Sequence, residues 1–304
     1  MKLLPVILCC LAVGCIEMEK GYNKAITPKI AVSNHLTQGS LKVVVAPING
    51  GRIASFTHND VEILSGKDVH PDNWGSTFWS SPQSQWGWPP PESFDQTPYE
   101  ISNKNGVIRL KGENAEELGY GFEKSLVMST YAGLDALAIT YTITNNSEET
   151  KQVAPWEITR VAPQGITLYP GIADSFTSPF PVDAKNDVIW LDYSTSPVQE
   201  GHSKLIGDAT EGWIAHVNEG KIFIKIFENL EPTAFAPEEG EVEIYRHPDG
   251  GYVEIEVQGR YEALDPGQST NYNVTWLVID LPADIPVAVG SKKLVSFIEA
   301  TLKN

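Results

Sequence analysis

Residues 252–258 read Tyr-Val-Glu-Ile-Glu-Val-Gln, an alternation that decides the fold class of this 304-residue chain. Successive side chains of a β-strand point to opposite faces of the sheet. The odd-numbered residues here are apolar and share one face, whereas the even-numbered residues are polar and share the other. The pattern predicts a strand whose apolar face lies against a core. Its polar face, with Glu254 and Glu256, is either a solvated sheet surface or the floor of a site.

Short runs of the same kind recur from Leu41 to Ile279 and are separated by Gly, Pro, Asn and Asp. In residues 136–144, for example, every second residue is large and apolar. Many short strands with turn residues between them are typical of antiparallel β-sandwiches. Only residues 291–302 follow a helical period, with Ser291 as the N-cap. We therefore predict an all-β fold, a large antiparallel sandwich with a short C-terminal helix.

A Trp-rich segment, residues 74–95, holds four of the 8 tryptophans of the chain and three consecutive prolines at 89–91. Proline removes a backbone donor and fixes φ, so we predict that the whole segment is a surface loop. Indole faces with amide groups nearby suit the apolar face and the hydroxyls of a sugar ring, which favours Trp86, Trp88 and Gln83 as binding residues. The alternative is a plug over one end of the β core with buried tryptophans, and Trp74 and Trp79 fit that alternative better.

Composition limits the possible partners. The chain has 22 Lys and Arg against 39 Asp and Glu, a formal net charge of −17, and the basic residues form no cluster. Such a charge repels nucleic acid and anionic membranes, so we exclude nucleic acid as a partner. With 41% hydrophobic residues the chain can bury a large core, and no linker or repeat divides residues 41–281. We expect a single folded domain and a monomer.

The N-terminus has the pattern of a bacterial export signal. Lys2 precedes an apolar run, residues 3–13, that is too short to cross a bilayer. Residues 11–15 read Leu-Ala-Val-Gly-Cys and resemble the lipobox of bacterial lipoproteins, in which the cysteine is acylated. All 3 cysteines lie at positions 9, 10 and 15, so the mature chain keeps only Cys15 and forms no internal disulfide. An ordinary secretory signal is the alternative.

These features give the predicted organisation of the chain: a signal peptide over residues 1–15, a flexible tether over 16–38 and the β domain over 39–304. Ile16 after the cysteine fits sorting to the outer membrane, as the lipoprotein pattern implies. We expect a periplasmic or outer-membrane-anchored lipoprotein of a Gram-negative bacterium, with membrane contact only through the lipid.

Familiar catalytic motifs are missing from the sequence. It contains no G-x-S-x-G elbow, no phosphate-binding Gly-rich loop and no H-E-x-x-H, and its six histidines are scattered without ligand spacing. We therefore expect no cofactor and no resident metal. A second polar interruption of an apolar run occurs in residues 154–161, where Glu157 and Arg160 form either part of a site or a structural ion pair.

Several stretches resemble, in order, segments of the galactose mutarotase (aldose 1-epimerase) superfamily. They are 49–56 (Asn-Gly-Gly-Arg-Ile-Ala-Ser-Phe), 61–64 (Val-Glu-Ile-Leu), 141–145 (Tyr-Thr-Ile-Thr-Asn), 252–254 (Tyr-Val-Glu), 264–269 (Leu-Asp-Pro-Gly-Gln-Ser) and 274–276 (Val-Thr-Trp). The similarity extends over residues 41–281 and is thin between 162 and 240. Together with the Trp-rich segment, these stretches resemble an uncharacterised family of secreted mutarotase-like bacterial proteins, the DUF4380 type. The resemblance implies a β-supersandwich that binds a carbohydrate on its concave sheet face.

The resemblance also implies roles for particular residues. In the mutarotases a Glu removes the proton of the anomeric hydroxyl while a His protonates the ring oxygen, and Glu254 stands where that Glu is expected. The His is missing, because the segment that should contain His-Pro-Tyr-Phe reads Pro-Trp-Glu-Ile at residues 155–158. Glu157 is then the candidate replacement for the acid. The predicted substrate-binding residues are Trp86, Trp88, Gln83, Arg160, Glu256 and Arg52.

Three functions follow from this pattern. The first is an isomerase that interconverts the anomers or epimers of a sugar, with Glu254 as the base. The second is a carbohydrate-binding lipoprotein without catalysis, in which the indoles are platforms and the carboxylates accept hydroxyl hydrogen bonds. The third is a scaffold protein without a ligand. Loss of the His favours binding alone, whereas retention of Glu254 within a strand favours chemistry.

Overall fold

The computed structural model describes residues 32–195 and 203–303, which form two large antiparallel β-sheets. The predicted signal peptide, Cys15 and most of the predicted tether lie outside these residues. The end of the tether, however, contributes the first strand of the domain. The strands are β1 (His35–Gln38), β2 (Leu41–Ala46), β3 (Arg52–His58), β4 (Val61–Glu62), β5 (Ser76–Ser81), β6 (Glu100–Lys104), β7 (Val107–Lys111), β8 (Tyr120–Tyr131), β9 (Leu134–Asn145), β10 (Lys151–Val161), β11 (Ile166–Pro170), β12 (Phe176–Thr177), β13 (Asp183–Lys185), β14 (Val188–Asp192), β15 (Ser203–Gly207), β16 (Trp213–Asn218), β17 (Lys221–Phe227), β18 (Val242–Arg246), β19 (Val253–Gln258), β20 (Glu262–Leu264) and β21 (Ser269–Asp280).

The described strands form sheets A and B. Sheet A has the strand order β1-β2-β3-β5-β10-β19-β18-β15-β12; in addition β4 pairs with β3, and β20 pairs with β10. Sheet B has the order β13-β14-β11-β16-β17-β21-β9-β8-β7-β6. The strand pairings in the described residues are all antiparallel. This architecture confirms the predicted antiparallel supersandwich.

Apolar side chains from both sheets fill the space between them, because each strand turns alternate residues inward. The largest inward side chains include Trp276, which has no exposed surface, and the Phe56 and Phe223 rings that pack against it at 5.3 and 5.2 Å. A second apolar cluster lies between sheet B and the C-terminal helix α2 (Lys292–Lys303). Sheet B is therefore buried on both faces where the helix covers it.

Helix α2 begins and packs as the sequence predicts. The Ser291 hydroxyl accepts a hydrogen bond from the Leu294 backbone N–H at 3.3 Å, which is an N-cap. Leu294 and Ile298 lie one turn apart and are fully buried against sheet B. Among the described residues, no helix has the length and apolarity needed to cross a membrane.

The prediction that the Trp-rich segment is a loop throughout is wrong. Residues 76–81 form strand β5, which lies in the middle of sheet A between β3 and β10, and all six residues are buried. A 3₁₀ turn at Gln83–Gln85 and a four-residue helix, α1 (Glu92–Asp95), follow. The serines fit here because the β5 backbone pairs with β10 along its whole length, and sheet pairing outweighs the weak intrinsic strand preference of Ser.

Candidate functional site

We call the side of sheet A that points away from sheet B its outer face. The odd-numbered residues of β19 belong to the core between the sheets, so its even-numbered residues point to the outer face. Directly paired residues of neighbouring strands share a face. Glu254 pairs with Arg160 on β10 and with Tyr245 on β18, and Tyr245 pairs with Lys204 on β15. Four strands thus bring polar side chains to one surface.

An ion pair between Glu254 and Arg160 lies at the centre of this surface. Arg160 Nε donates to Glu254 Oε1 at 2.8 Å, and Arg160 Nη1 donates to the Thr77 hydroxyl at 2.8 Å. The Arg160 side chain is fully buried and its guanidinium lies 5.4 Å from the Trp79 ring, whereas the Glu254 side chain keeps 10% of its surface exposed. Arg160 therefore holds Oε1 of the Glu254 carboxylate, while part of the Glu254 side chain stays accessible to solvent.

A second charged group surrounds Lys204. Its Nζ donates to Glu243 Oε2 at 2.7 Å and to Glu256 Oε2 at 3.0 Å, and it lies 4.4 Å from the Trp156 ring. Burial raises the pKa of Glu256 to about 7; Lys204 opposes this shift and Glu254 adds to it. Glu256 is only 1% exposed, so the alternative of a solvated carboxylate face does not hold for it.

Hydrogen bonds extend this group to the Trp-rich segment. Gln258 Nε2 donates to Glu243 Oε1 at 2.7 Å and to Glu239 Oε2 at 3.1 Å. The other oxygen of Glu239 accepts the backbone N–H of Gln83 at 2.8 Å. Gln83 was predicted to bind substrate through its side chain, but its clearest contact with the site is this backbone bond, which positions the segment.

Four indoles form a cluster next to Arg160. Trp79 is buried and lies 5.6 Å from Trp156, 5.6 Å from Trp86 and 6.3 Å from Trp88. Trp88 is 57% exposed. Since Trp79 also contacts the Arg160 guanidinium, an unbroken set of contacts joins the exposed Trp88 ring to Glu254.

Trp86 and Trp88, which the sequence analysis treats alike, differ in the structure. Trp86 is half-buried, donates its Nε1–H to the Ser80 carbonyl at 2.9 Å and packs on Phe94 at 5.6 Å. Much of the Trp86 ring therefore serves packing, whereas Trp88 offers an open face. Trp74 and Trp79 are buried, in keeping with the plug alternative for those two residues.

Two histidines lie together at the other end of the outer face. The His247 ring is 4.7 Å from Tyr252 and 5.2 Å from His70, and Asn73 donates to the Tyr252 hydroxyl at 2.9 Å. Tyr252 precedes Glu254 by two residues and shares its face. The backbone N–H of Asn73 donates to His70 Nδ1 at 2.9 Å, so the neutral His70 ring carries its proton on Nε2.

Glu157, the predicted replacement acid, lies on the opposite face of β10. It is fully buried between the sheets, where its Oε1 lies 2.9 Å from Lys225 Nζ and accepts hydrogen bonds from Trp276 Nε1 at 3.1 Å and the Thr159 hydroxyl at 2.9 Å. The physical reason is the strand period: residues three apart point to opposite faces, so Glu157 and Arg160 cannot share one. The prediction that Glu157 is a catalytic residue of the site is therefore wrong. Glu157 is one partner of a structural ion pair with Lys225.

Arg52 lies on the outer-face side of β3 but is enclosed. Its Nη1 donates to the Asp72 and Trp74 carbonyls at 2.8 and 2.7 Å, its Nη2 lies 3.6 Å from Asp95 Oδ2, and its guanidinium covers the Trp74 ring at 4.5 Å. Burial, followed by the charge of Arg160, lowers the pKa of Arg52 to about 10. With 3% exposure it holds the Trp-rich segment in place and is not positioned to contact a ligand directly.

Several outer-face residues were missed by the sequence-based prediction. They are Lys204, Glu243, Tyr245, His70, His247 and Trp156. For Glu243 and Tyr245 a signal existed, since the alternation of β18 puts both on one face. The others come from loops and strands that only the tertiary fold brings together. Across residues 32–195 and 203–303, no three His, Cys, Asp or Glu side chains are grouped as metal ligands.

The fold matches those of solved proteins. The Slr1438 protein of Synechocystis sp. PCC 6803 superposes with a TM-score of 0.59 at 15% identity, covering 85% of this chain and 99% of its own. A galactose mutarotase-like protein of Lactobacillus casei ATCC 334 superposes with a TM-score of 0.58 at 11% identity, covering 81% of this chain and 99% of its own. These matches show that the chain has the galactose mutarotase-like fold.

Searches at the level of sequence gave no further assignment. No protein-family model matches the chain, and a search of curated proteins found no significant match. The narrower resemblance to the DUF4380 type thus stays a prediction.

Proposed function

We propose that this chain, which has the galactose mutarotase-like fold, binds a carbohydrate on the outer face of sheet A and interconverts its anomers there. The observation that carries the proposal is the continuous set of contacts from the exposed Trp88 through Trp79 and Arg160 to Glu254. An indole face packs against the C–H face of a sugar ring, while a carboxylate accepts its hydroxyls. The proposed site joins the indole platform and the carboxylate, which are linked by these contacts.

Anomer exchange needs a base and an acid on the same ring. The base takes the proton of the anomeric hydroxyl as the bond between C1 and the ring oxygen breaks, and the acid gives a proton to that oxygen. Rotation about C1–C2 and closure in the reverse sense produce the other anomer and return both protons. Glu254 is the proposed base, because its carboxylate is held by Arg160 with one edge open.

The proposed acid is one of the two histidines beyond Tyr252. Backbone N–H groups donate to His70 Nδ1 in the neutral ring, which leaves Nε2 for the substrate. Transfer of a proton from Nε2 requires the imidazolium form of the ring, because the neutral ring would be left as an imidazolate. His247 Nδ1 accepts the Asp249 N–H at 3.3 Å in the same way. In this proposal one of these two rings takes the role of the histidine that the sequence lacks after strand β9.

A carbohydrate receptor without catalysis is the second candidate. The observation that favours it is that β10 presents Trp156, and no histidine, to the outer face. The discriminating experiment is a monosaccharide titration followed by NMR exchange spectroscopy on each sugar that binds. Accelerated exchange between the two anomer signals supports the isomerase, and binding without acceleration supports the receptor.

We expect Trp88→Ala to weaken sugar binding at least about 10-fold while changing the free energy of unfolding by less than about 0.5 kcal/mol. The reason is that the exposed Trp88 ring contributes to the complex and little to the core. Isothermal titration calorimetry and urea unfolding measure the two quantities.

Trp86→Ala is the matched control. It removes the bond to Ser80 and the packing on Phe94, so we expect it to cost about 2–3 kcal/mol of stability. Unchanged sugar affinity in the Trp88 variant would contradict the platform role.

We also propose export and lipid attachment at Cys15, on the strength of the lipobox-like pattern. Cys15→Ala should shift the protein from the membrane fraction to the soluble periplasmic fraction without altering its unfolding curve, because acyl chains provide the membrane affinity. Fractionation with immunoblotting measures the shift. An unchanged membrane fraction would contradict the anchor.

A further inference from the structure

A cleft of about 430 Å³ opens where the two sheets meet helix α2. Its lining comes from the β1–β2 hairpin and the end of β3 in sheet A, from the β8–β9 turn and the end of β21 in sheet B, and from α2. The volume falls in the range of small-molecule sites, about 300–1,000 Å³. The cleft shares no residue with the outer-face site described above, so it is a separate place for a ligand.

More than half of the residues that line the cleft are apolar. Leu41 and Val278 are buried, and Leu134, Ile279 and Phe297 are half-buried with part of their surface open. Covering such surface with an apolar group gains roughly 25 cal/mol per Å². The body of a ligand that fits here is therefore a hydrocarbon ring or chain.

His58 presents a polar atom to this cleft. Its side chain keeps 9% of its surface exposed, and its Nδ1 lies 3.2 Å from the Lys221 ammonium, which can only donate. Nδ1 therefore accepts, and the neutral ring carries its proton on Nε2. Within the described residues Nε2 has no hydrogen-bond partner, and it is not closed off from solvent. Burial, followed by the charge of Lys221, lowers the pKa of His58, so the ring is neutral at pH 7 and offers one N–H donor.

Two carboxylates set the charge of the cleft. Asp135 and Asp280 line it, and among the described residues no Lys or Arg does. Asp135 Oδ1 accepts the Gln38 Nε2–H at 2.9 Å, and Asp280 Oδ1 accepts a hydrogen bond from the Lys221 ammonium. Neither Oδ2 atom has a hydrogen-bond partner in the part of the chain that the structure describes. The lining therefore repels an anion and attracts an ammonium, and the net charge of −17 acts in the same direction.

We propose that this cleft is a second binding site, for a small amine that carries a hydroxyl on an apolar ring or chain. The apolar part covers the walls, the ammonium pairs with Oδ2 of Asp135, and the hydroxyl oxygen accepts the His58 Nε2–H bond. Asp280 already pairs with Lys221, which makes Asp135 the principal partner of the ammonium. The site does not depend on the proposed sugar chemistry, because it shares no residue with the outer face.

Phenylethanolamine is the probe, and the ¹⁵N signals of the His58 ring in the full chain are the readout. Titration at pH 7 should give a saturable shift of the Nε2 signal with a dissociation constant on the order of 1 mM, the level that a fragment of this size reaches. Phenylethanediol carries a hydroxyl in place of the ammonium and should bind at least about 5-fold more weakly. No saturable shift with the amine, or equal affinities for the amine and the diol, would overturn the proposal.

Asp135→Asn tests the ion pair with little change of shape, because the amide oxygen can still accept the Gln38 bond. The variant should bind the amine at least about 5-fold more weakly and lose the preference for the amine over the diol. Asp284→Asn is the matched control: it removes the same charge from a side chain that is 81% exposed and outside the cleft, and should leave both affinities unchanged. An undiminished preference in the Asp135 variant, or an equal loss in the Asp284 variant, would contradict the site.

Thr301→Trp fills the cleft from a half-buried position on α2 and should abolish the shift with both probes, with folding checked by circular dichroism. If that variant does not fold, the Asp135 variant decides alone. A shift of undiminished affinity in the folded Thr301 variant would show binding elsewhere and contradict the site.

Discussion

Replacing Lys225 by Met is expected to lower the free energy of unfolding by about 3–5 kcal/mol, the usual cost of removing one partner of a buried ion pair. Lys225 and Glu157 are 1% and 0% exposed, and their charged atoms lie 2.9 Å apart between the sheets. Lys225 Nζ also donates to the Ile255 carbonyl at 2.7 Å. Burial lowers the pKa of Lys225, and Glu157 opposes that shift. Without the ammonium, a buried carboxylate keeps only neutral donors.

Urea unfolding at pH 7 measures this cost as a change of midpoint at constant slope. The double variant Lys225→Met/Glu157→Met should recover most of the loss, because it removes both charges and leaves apolar side chains. Lys185→Met is the surface control: its pair with Asp183 has a similar length, 2.9 Å, but both side chains are about half exposed. The control should change stability by less than about 1 kcal/mol. Equal effects of the two single variants would contradict a buried charge pair.

The sequence predicts the fold well where the side-chain period is clear. The alternation in β19 gives the correct inward and outward faces, and Trp276 is buried as its place in the closing strand indicates. The same period also separates Glu157 from Arg160, because their spacing is odd. Assigning both to one site was an error that the sequence alone could have prevented.

Other parts of the site depend on contacts distant in sequence. The local composition does not predict β5, because Gly, Ser and Pro around Trp79 indicate a loop. Pairing with β10 makes this segment a strand. Lys204 reaches Glu256 only because β15 pairs with β18, and His70 meets His247 only because a loop folds over the end of β19. No local pattern encodes such pairings, since they follow from the order of strands in the sheet.

Replacing Glu254 by Gln should lower any anomer-exchange rate by about 10²-fold or more, the usual size of a lost general base. The amide keeps the shape of the carboxylate, and its oxygen still accepts the Arg160 Nε–H bond. Sugar affinity and fold are therefore expected to change little. NMR exchange spectroscopy gives the rate, calorimetry gives the affinity, and urea unfolding gives the stability of the same sample.

Glu256→Gln is the internal comparison for this prediction, because Glu256 lies two residues along the same face. Its Oε2 is bonded to Lys204 and its side chain is buried, so it is less able to reach a sugar proton. We expect the exchange rate of that variant to fall by less than about 10-fold, because the substitution removes only a charge near the proposed base Glu254. Wild-type exchange rates in the Glu254 variant, at matched affinity, would remove the isomerase and leave the carbohydrate receptor as the function of this face. A large loss in the Glu256 variant alone would instead transfer the role of base to that carboxylate.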